Sequence, residues 1–295
     1  MERETVPVSE KPVNERLIKV DDGDFLMGTD SGEGYRADGE GPQRRVTLGA
    51  FSIAPCAVSN AEFECFVSDT GYVTDAERND WSFVFYQHIA KDKSHLIQGV
   101  SSEGRWWAAM AGACWLRPEG FGSHINGRMD HPVVHVSWHD AMAYCRWSGT
   151  RLPTEAEWER AARGGLEEKI YPWGNELLPN GEHRCNIWQG RFPLEDLCED
   201  GFSGTAPVNA YKPNGLGLYN MVGNVWEWCE DWFSPSYHRV TRSKDPRYVI
   251  PTGRRSMRSG SFLCHRSYCH RYRVAARSSN SPESATSNIG FRVVV

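Results

Sequence analysis

From residue 165 to the C-terminus the chain shows no helix-length pattern, yet it is too rich in aromatic rings to remain unfolded. Stretches such as YPWGNELLPNG, NIWQGRF and APVNAYKPNGLGLYNMVGNVWEWCEDW alternate turn formers with large rings. The 295 residues include 12 Trp, 11 Tyr and 12 Phe beside 28 Gly and 16 Pro. Rings bury large areas and demand a packed interior, while Gly and Pro interrupt regular structure. Long irregular segments are either disordered or functional. This ring content predicts packed, functional loops, pinned by ions. Short strands such as SFLC (261–264) and GFRVVV (290–295) are expected between them.

The first half is more regular. LIKVDDGDFLMGT (17–29) predicts two short strands around a turn at Asp21-Asp22-Gly23, and RRVTLGAFSIAPCAVS (44–59) predicts another pair. Three helix starts carry a hydroxyl cap with an acid three residues on. They are Ser59 with Glu62, Ser137 with Asp140, and Thr154 with Glu157. The helices they open should end near Gly71, Gly149 and Gly164. His135 should lie in a strand just before the second helix. No repeat and no low-complexity linker divides the chain. The expectation is an α+β fold with little regular structure, one domain over 17–295, behind a polar tail over 1–16.

Composition narrows the function. Lys and Arg number 33 against 38 Asp and Glu, so the formal charge is 33 − 38 = −5. A dedicated nucleic-acid binder usually has a basic excess. Mean hydropathy is −0.56, and no 18-residue apolar run exists, so no membrane span is expected. The first residues lack the apolar stretch of a secretory signal. Nine Cys, an odd number, then suggest a reducing, cytoplasmic setting. No P-loop, GxGxxG or GxSxG occurs, so nucleotide and serine-hydrolase chemistry have no support.

The sharpest chemical feature is Cys264-His265-Arg266-Ser267-Tyr268-Cys269. It sits in a basic run with Arg255, Arg258, His270, Arg271 and Arg273. Nearby cations favour the thiolate that a nucleophile or metal ligand needs. Two thiolates are few for zinc, which prefers four ligands; they suit a soft ion of low coordination number, and Cu(I) is the natural candidate. A disulfide, two buried thiols and half a zinc site are the competing readings. Oxygen ligands cluster too: Asn186 and Asp200 flank a Trp-Gln-Gly loop, and Asn220 and Glu227 flank GNVWEW. Calcium takes six to eight oxygens, although Asn in a turn and Glu at a strand start explain the same residues. His135 and His139 suggest iron only weakly, because Ser137 caps the helix between them.

Taken together, GTRLPTEAEWERAARGG, YPWGN, NIWQG, GLYNMVGNVWEW, RSGSFLCHRSYCHRYRVAARS and SNIGFRVV resemble the formylglycine-generating enzyme family, also called the sulfatase-modifying factor family. The likeness runs over roughly residues 17 to 295. SFLCHRSYC is its discriminating motif. The resemblance implies a mixed α/β fold related to C-type lectin-like modules. It also implies a copper-dependent oxidase that uses O₂ and a thiol reductant. The client would be an unfolded or nascent sulfatase, whose cysteine in Cys-x-Pro-x-Arg becomes Cα-formylglycine. Cys264 and Cys269 would hold Cu(I), and the client cysteine would add a third sulfur. Ser261, His265, Tyr268 and Asn288 would line the pocket, and Trp226 would lie against the oxygen-binding side.

The resemblance further implies two structural calcium sites. One takes Asn186 and Asp200 with carbonyls of Ile187 and Phe202. The other takes Asn220 and Glu227 with carbonyls of Gly223 and Val225. The eukaryotic secretory members carry two disulfides. Here Cys145 matches one half, but Ala162, Val274 and Val293 hold other positions, so no such bridge is expected. This fits a bacterial, cytoplasmic enzyme, and with no amphipathic seam apparent a monomer is expected. An acidic residue is missing near Ala57, and Trp81 stands where eukaryotic members have Asp, so the family's client preference, including how the client arginine is read, does not carry over to this chain. The remaining alternatives are a non-catalytic binding module of the same fold and an iron-dependent sulfoxide synthase. The second cysteine argues against the first; the lack of a helical-bundle domain argues against the other.

Overall fold

The computed structural model describes residues 16–102 and 104–295. The tail expected over 1–16 therefore lies, apart from Arg16, outside the described residues. Four strands open the chain: β1 (Ile18–Val20), β2 (Gly23–Met27), β3 (Arg44–Leu48) and β4 (Phe51–Ile53). All four form where expected, but β1 and β2 do not pair across their turn. Instead β1 pairs antiparallel with β4, and β2 with β3. That pairing buries Phe25, Met27, Val46 and Leu48 together with Val20, Phe51 and Ile53.

Helix α1 (Asn60–Thr70) starts at the Ser59–Glu62 box and stops at Gly71, whose φ is 64°. A short helix, α2 (Asp75–Asn79), was not anticipated, although Thr74 and Glu77 form the same reciprocal cap. Strands β5 (Trp81–Phe85), β6 (Ile97–Val100) and β7 (Trp107–Ala111) make an antiparallel sheet with β7 central. Helices α3 (Trp138–Ser148) and α4 (Glu155–Arg163) begin at the Ser137 and Thr154 caps and end at Gly149 and Gly164. His135 is not in a strand; its φ is 58°, a bend that turns the chain into α3.

Beyond residue 165 regular structure is sparse, as expected. A small hairpin, β8 (Gly190–Arg191) with β9 (Glu195–Asp196), precedes β10 (Trp226–Trp232) and the four-residue helix α5 (Tyr237–Val240). Then come β11 (Arg255–Arg258), β12 (Ser278–Asn280) and β13 (Ile289–Gly290). They form a sheet in the order β12-β11-β10-β13. Two expected strands fail. SFLC is a turn, closed by the Cys264 N–H donating to the Ser261 carbonyl at 2.8 Å. GFRVVV keeps only Gly290 in the sheet, while Val294 makes isolated bridges to Ile53 and Arg151. Among the described residues no helix is long and apolar enough to cross a membrane.

The interior holds charge as well as rings. Arg258, Arg277 and Arg292 are fully buried. Glu155 and Glu159, one turn apart on α4, meet Arg277 and Arg258; Glu227 on β10 meets Arg292. His238 is also buried, and neither ring nitrogen has a hydrogen-bond partner. Burial pushes its pKa down from 6.5 to about 4, against the pull of Glu159. A depressed histidine favours the neutral folded form, so its stability contribution is complete above pH 6.5 and is lost as pH falls toward 4. The loss should approach about 3 kcal/mol. His238→Gln, which cannot charge, is expected to flatten the melting temperature against pH across that window. An unchanged slope would refute this assignment.

A candidate active site at a buried cysteine pair

Cys264 and Cys269 meet at the base of a cleft of about 240 Å³. The turn after Ser261 places the first thiol. The second is placed by a helical turn in which the His265 carbonyl accepts from the Tyr268 and Cys269 N–H groups at 2.9 and 2.7 Å. The two Sγ atoms lie 2.7 Å apart. A disulfide would be about 2.05 Å, and all nine Cys are free thiols. Cys145 is unbridged, as expected.

The pair is electrostatically unequal. Burial pushes the Cys264 thiol well up, reinforced by its hydrogen bond to Cys269. Burial pushes Cys269 up too, but the Cys264 hydrogen bond and the Arg271 guanidinium outweigh it and hold this thiol below its ordinary value. Cys269 is therefore the sulfur that gives up its proton more readily, and Cys264 the one that holds it. Arg271 Nη1 stands 3.9 Å from Cys269 Sγ.

Arg271 is held by residues that nothing in the local sequence announces. Asp38 accepts from its Nε at 2.6 Å and its Nη2 at 3.2 Å. Its guanidinium lies 4.0 Å from the Tyr35 ring centroid. The Tyr35 hydroxyl donates to the Tyr268 carbonyl at 3.2 Å and accepts from the His270 N–H. Arg273 makes a forked pair with Glu40. The 35–40 segment thus braces the cysteine loop. Gly39 in this segment has φ 62°, and a Cβ there would stand 2.0 Å from the Pro235 carbonyl oxygen.

Most expected pocket residues converge. Ser261, Tyr268, Trp226 and Asn288 line the cleft with both cysteines. Asn288 Nδ2 donates to Ser261 Oγ at 2.8 Å. Tyr268 stands between Trp106, at a ring-centroid distance of 4.7 Å, and Phe192, stacked at 4.5 Å. Trp106 and Trp107, both unanticipated, line the same cleft. His265 does not join them. Its Nδ1 lies 2.8 Å from Ser267 Oγ, and it borders a separate apolar cavity with Trp188 and Tyr272. Its backbone carbonyl, rather than its imidazole, shapes the site. The basic run is also largely spoken for: Arg258 pairs with Glu155 and Glu159, and Arg255 lies between the Trp138 and Trp232 rings.

The two oxygen-rich loops are packed together, the Asn224 N–H donating to the Asn186 carbonyl at 2.8 Å. Asn186 Nδ2 donates to the Gly204 carbonyl at 2.7 Å, and Asn220 Nδ2 to the Pro207 and Val208 carbonyls. Those bonds fix the amide orientation, and both buried Oδ1 atoms are left without a partner. Asp200 accepts from the Ile187 and Phe202 N–H groups, which brings that set together. Its pKa is raised by burial. Glu227 is more fully engaged, with Arg292 at 2.6 and 2.8 Å and Trp158 Nε1 at 2.7 Å. Gly223 has φ 78° and closes on the Asn186 carbonyl, where a Cβ would stand 2.5 Å away. Val225 is buried beside it. The weak iron pair is separated: His135 is buried against Ser82 and the Pro118 carbonyl, whereas His139 lies 3.7 Å from Glu283.

The sulfatase-modifying factor enzyme 1-like domain matches residues 2–295. The formylglycine-generating enzyme of Thermomonospora curvata is 54% identical over 287 residues, covering 96% of this chain and 94% of that protein. Its namesake in Streptomyces coelicolor is 55% identical over 275 residues, covering 93% and 87%. A mouse protein named inactive C-alpha-formylglycine-generating enzyme 2 is 44% identical over 282 residues, covering 94% and 84%. Among solved structures, PvdO from Pseudomonas aeruginosa has a TM-score of 0.69 at 23% identity, covering 94% of this chain and 93% of that one. That likeness supports the α+β fold alone. By these matches the chain belongs to the formylglycine-generating enzyme family, in the company of its bacterial members.

Proposed function

We propose that this protein is a copper-dependent oxidase that converts a cysteine in a Cys-x-Pro-x-Arg segment of a client sulfatase to Cα-formylglycine. The observation that carries the reading is the buried Cys264–Cys269 pair at the base of an open cleft. Among the described residues no group of three or more His, Cys, Asp or Glu could hold a metal. A two-thiolate donor set fits Cu(I) and leaves room for an external sulfur. Bound copper would supply the electron-transfer chemistry that lets O₂ react with a thiol.

The chain's own residues do the rest. Cys264 and Cys269 would hold the ion, as deprotonated thiolates. Asn288 orients Ser261 on one wall. Tyr268, its pKa raised by burial, stays an O–H donor at the mouth. Trp226, Trp106 and Trp107 give apolar faces for an extended client, which reaches the cysteines before the sulfatase folds. The net balance is a client CH₂–SH, one O₂, and two electrons with two protons from a thiol reductant. The products are the aldehyde, H₂S and water.

Incubating a Cys-x-Pro-x-Arg peptide with the protein, Cu(I), O₂ and a thiol tests the reading by mass spectrometry. A loss of about 18 Da is expected, whereas ordinary thiol oxidation to sulfenic or sulfinic acid adds oxygen. No conversion across several peptides, with copper loading verified, would favour the non-catalytic binding module.

Two calcium ions would complete the loops. The orphaned Oδ1 atoms of Asn186 and Asn220 fit such ions. Asp200 with the Ile187 and Phe202 carbonyls would serve one, and Glu227 with the Gly223 and Val225 carbonyls the other. Calcium at a thousandfold excess over its Kd should stabilise the fold by about 4 kcal/mol per site. The melting temperature should therefore drop in a calcium chelator, and Asn186→Ala should shrink the drop. Identical melts in calcium and chelator would sink the idea.

A further inference from the structure

The cysteine cleft is cationic in a chain of net charge −5. Among the described residues no carboxylate lines it, whereas Arg254 and Arg271 both do. Arg271 is balanced by Asp38. Arg254 is not: among the described residues the hydrogen bonds of its guanidinium go to Ser279 alone. Its Nε donates to Ser279 Oγ at 2.9 Å, and its Nη2 to the Ser279 carbonyl at 2.7 Å. Those bonds occupy one edge of the planar guanidinium and fix its orientation. The Nη1–Nη2 end stays open, a fork that matches a carboxylate with two parallel hydrogen bonds.

Position supports a role in binding. Arg254 immediately precedes β11, and Ser279 lies on β12, the edge strand of the sheet. Met257, three residues along β11, lines the same cleft. At about 3.3 Å per residue, Arg254 lies about 10 Å along the strand from Met257. An extended polypeptide whose target cysteine sits at Cys264 and Cys269 would pass the open guanidinium a few residues away.

We propose that Arg254 is a specificity-determining residue that reads an acidic side chain of the client, N-terminal to the target cysteine. This rests on the reading of the cleft as a client site. The client arginine lies on the C-terminal side of the cysteine, and like charges placed together are strongly disfavoured. The N-terminal flank is therefore the one that runs past Arg254, and it gains from carrying the opposite charge.

The test uses labelled peptides in which Ser replaces the target cysteine, so binding to the copper-loaded protein is read without turnover. The set carries a neutral flank, an N-terminal Asp, a C-terminal Asp, or an N-terminal Lys. By fluorescence anisotropy the N-terminal Asp peptide should bind about fivefold more tightly than the neutral one, and high salt should erode the gain. R254A should abolish the discrimination, and R254E should invert it in favour of Lys. Equal wild-type affinities, a preference that survives R254A, or an advantage for the C-terminal Asp would each overturn the proposal. A Cys-bearing neutral peptide separates the two levels of inference. If it is converted without any charge preference, the role of Arg254 falls alone. If it is neither bound nor converted, the reading of the cleft falls with it.

Discussion

Cys269→Ala is expected to lower conversion of a Cys-x-Pro-x-Arg peptide more than about a thousandfold, because the proposed copper ion would supply several kcal/mol of the rate enhancement. The site offers two sulfur ligands and, among the described residues, no other cluster that could hold the ion. One thiol cannot replace two, and the nearby oxygens of Ser261 and Tyr268 are hard donors that suit Cu(I) poorly. Cys269→Ser should fail for the same reason, and Cys264→Ala should behave alike. The fold should survive, since removing one buried sulfur costs on the order of 1 kcal/mol. Competition against a coloured Cu(I) chelator should show the lost affinity directly, alongside the mass spectrum and a melting curve. A folded Cys269→Ala protein that still binds copper tightly and still converts peptide would place the chemistry elsewhere in the molecule.

What could be read before folding was what is local. The caps at Ser59, Ser137 and Thr154 act within one helical turn, and all three helices begin and end where their caps and glycines imply. Cys264 and Cys269 are five residues apart, so their partnership also lies within reach of the sequence. The strands of the N-terminal segment were legible as strands, but their pairing was not. Which of β3 and β4 each joins depends on burial from both faces, not on the turn between β1 and β2. The brace on the cysteine loop was equally invisible. Arg271 and Asp38 are 233 residues apart, as are Arg273 and Glu40. A run of basic residues does not say which member will reach a thiol. Topology sends Arg271 there and commits Arg258, Arg255 and Arg273 to other partners. His265 misled for a related reason: in a tight turn the backbone carbonyl points inward and the ring points away.

The same long-range wiring predicts the largest loss of stability. Glu155→Ala should destabilise the protein by about 3–5 kcal/mol, the usual consequence of leaving buried charge uncompensated. Glu155 is fully buried and accepts from Arg277 Nε and Nη2 at 2.6 and 2.7 Å and from Ser256 Oγ at 2.6 Å. Arg258 Nη1 approaches it at 3.5 Å. Burial alone would raise its pKa, but Arg277 and then Arg258 overcome that and hold it below the ordinary value. A depressed carboxylate stabilises the fold above its unfolded pKa, and this contribution disappears as pH falls through the folded one. Wild type should therefore lose stability on acidification below about pH 4.5, and the variant should lose less there because the group is gone. Arg277 also donates to the Asp38, Gly39 and Ser234 carbonyls. Asp38 in turn holds Arg271 beside Cys269, so the damage should spread from core to site. Chemical denaturation gives the stability, and Cu(I) affinity of the still-folded fraction gives the coupling. A Glu155→Ala protein as stable as wild type would mean that the buried network is dispensable. One that is destabilised but binds copper with full affinity would cut the link between that network and the cysteine loop.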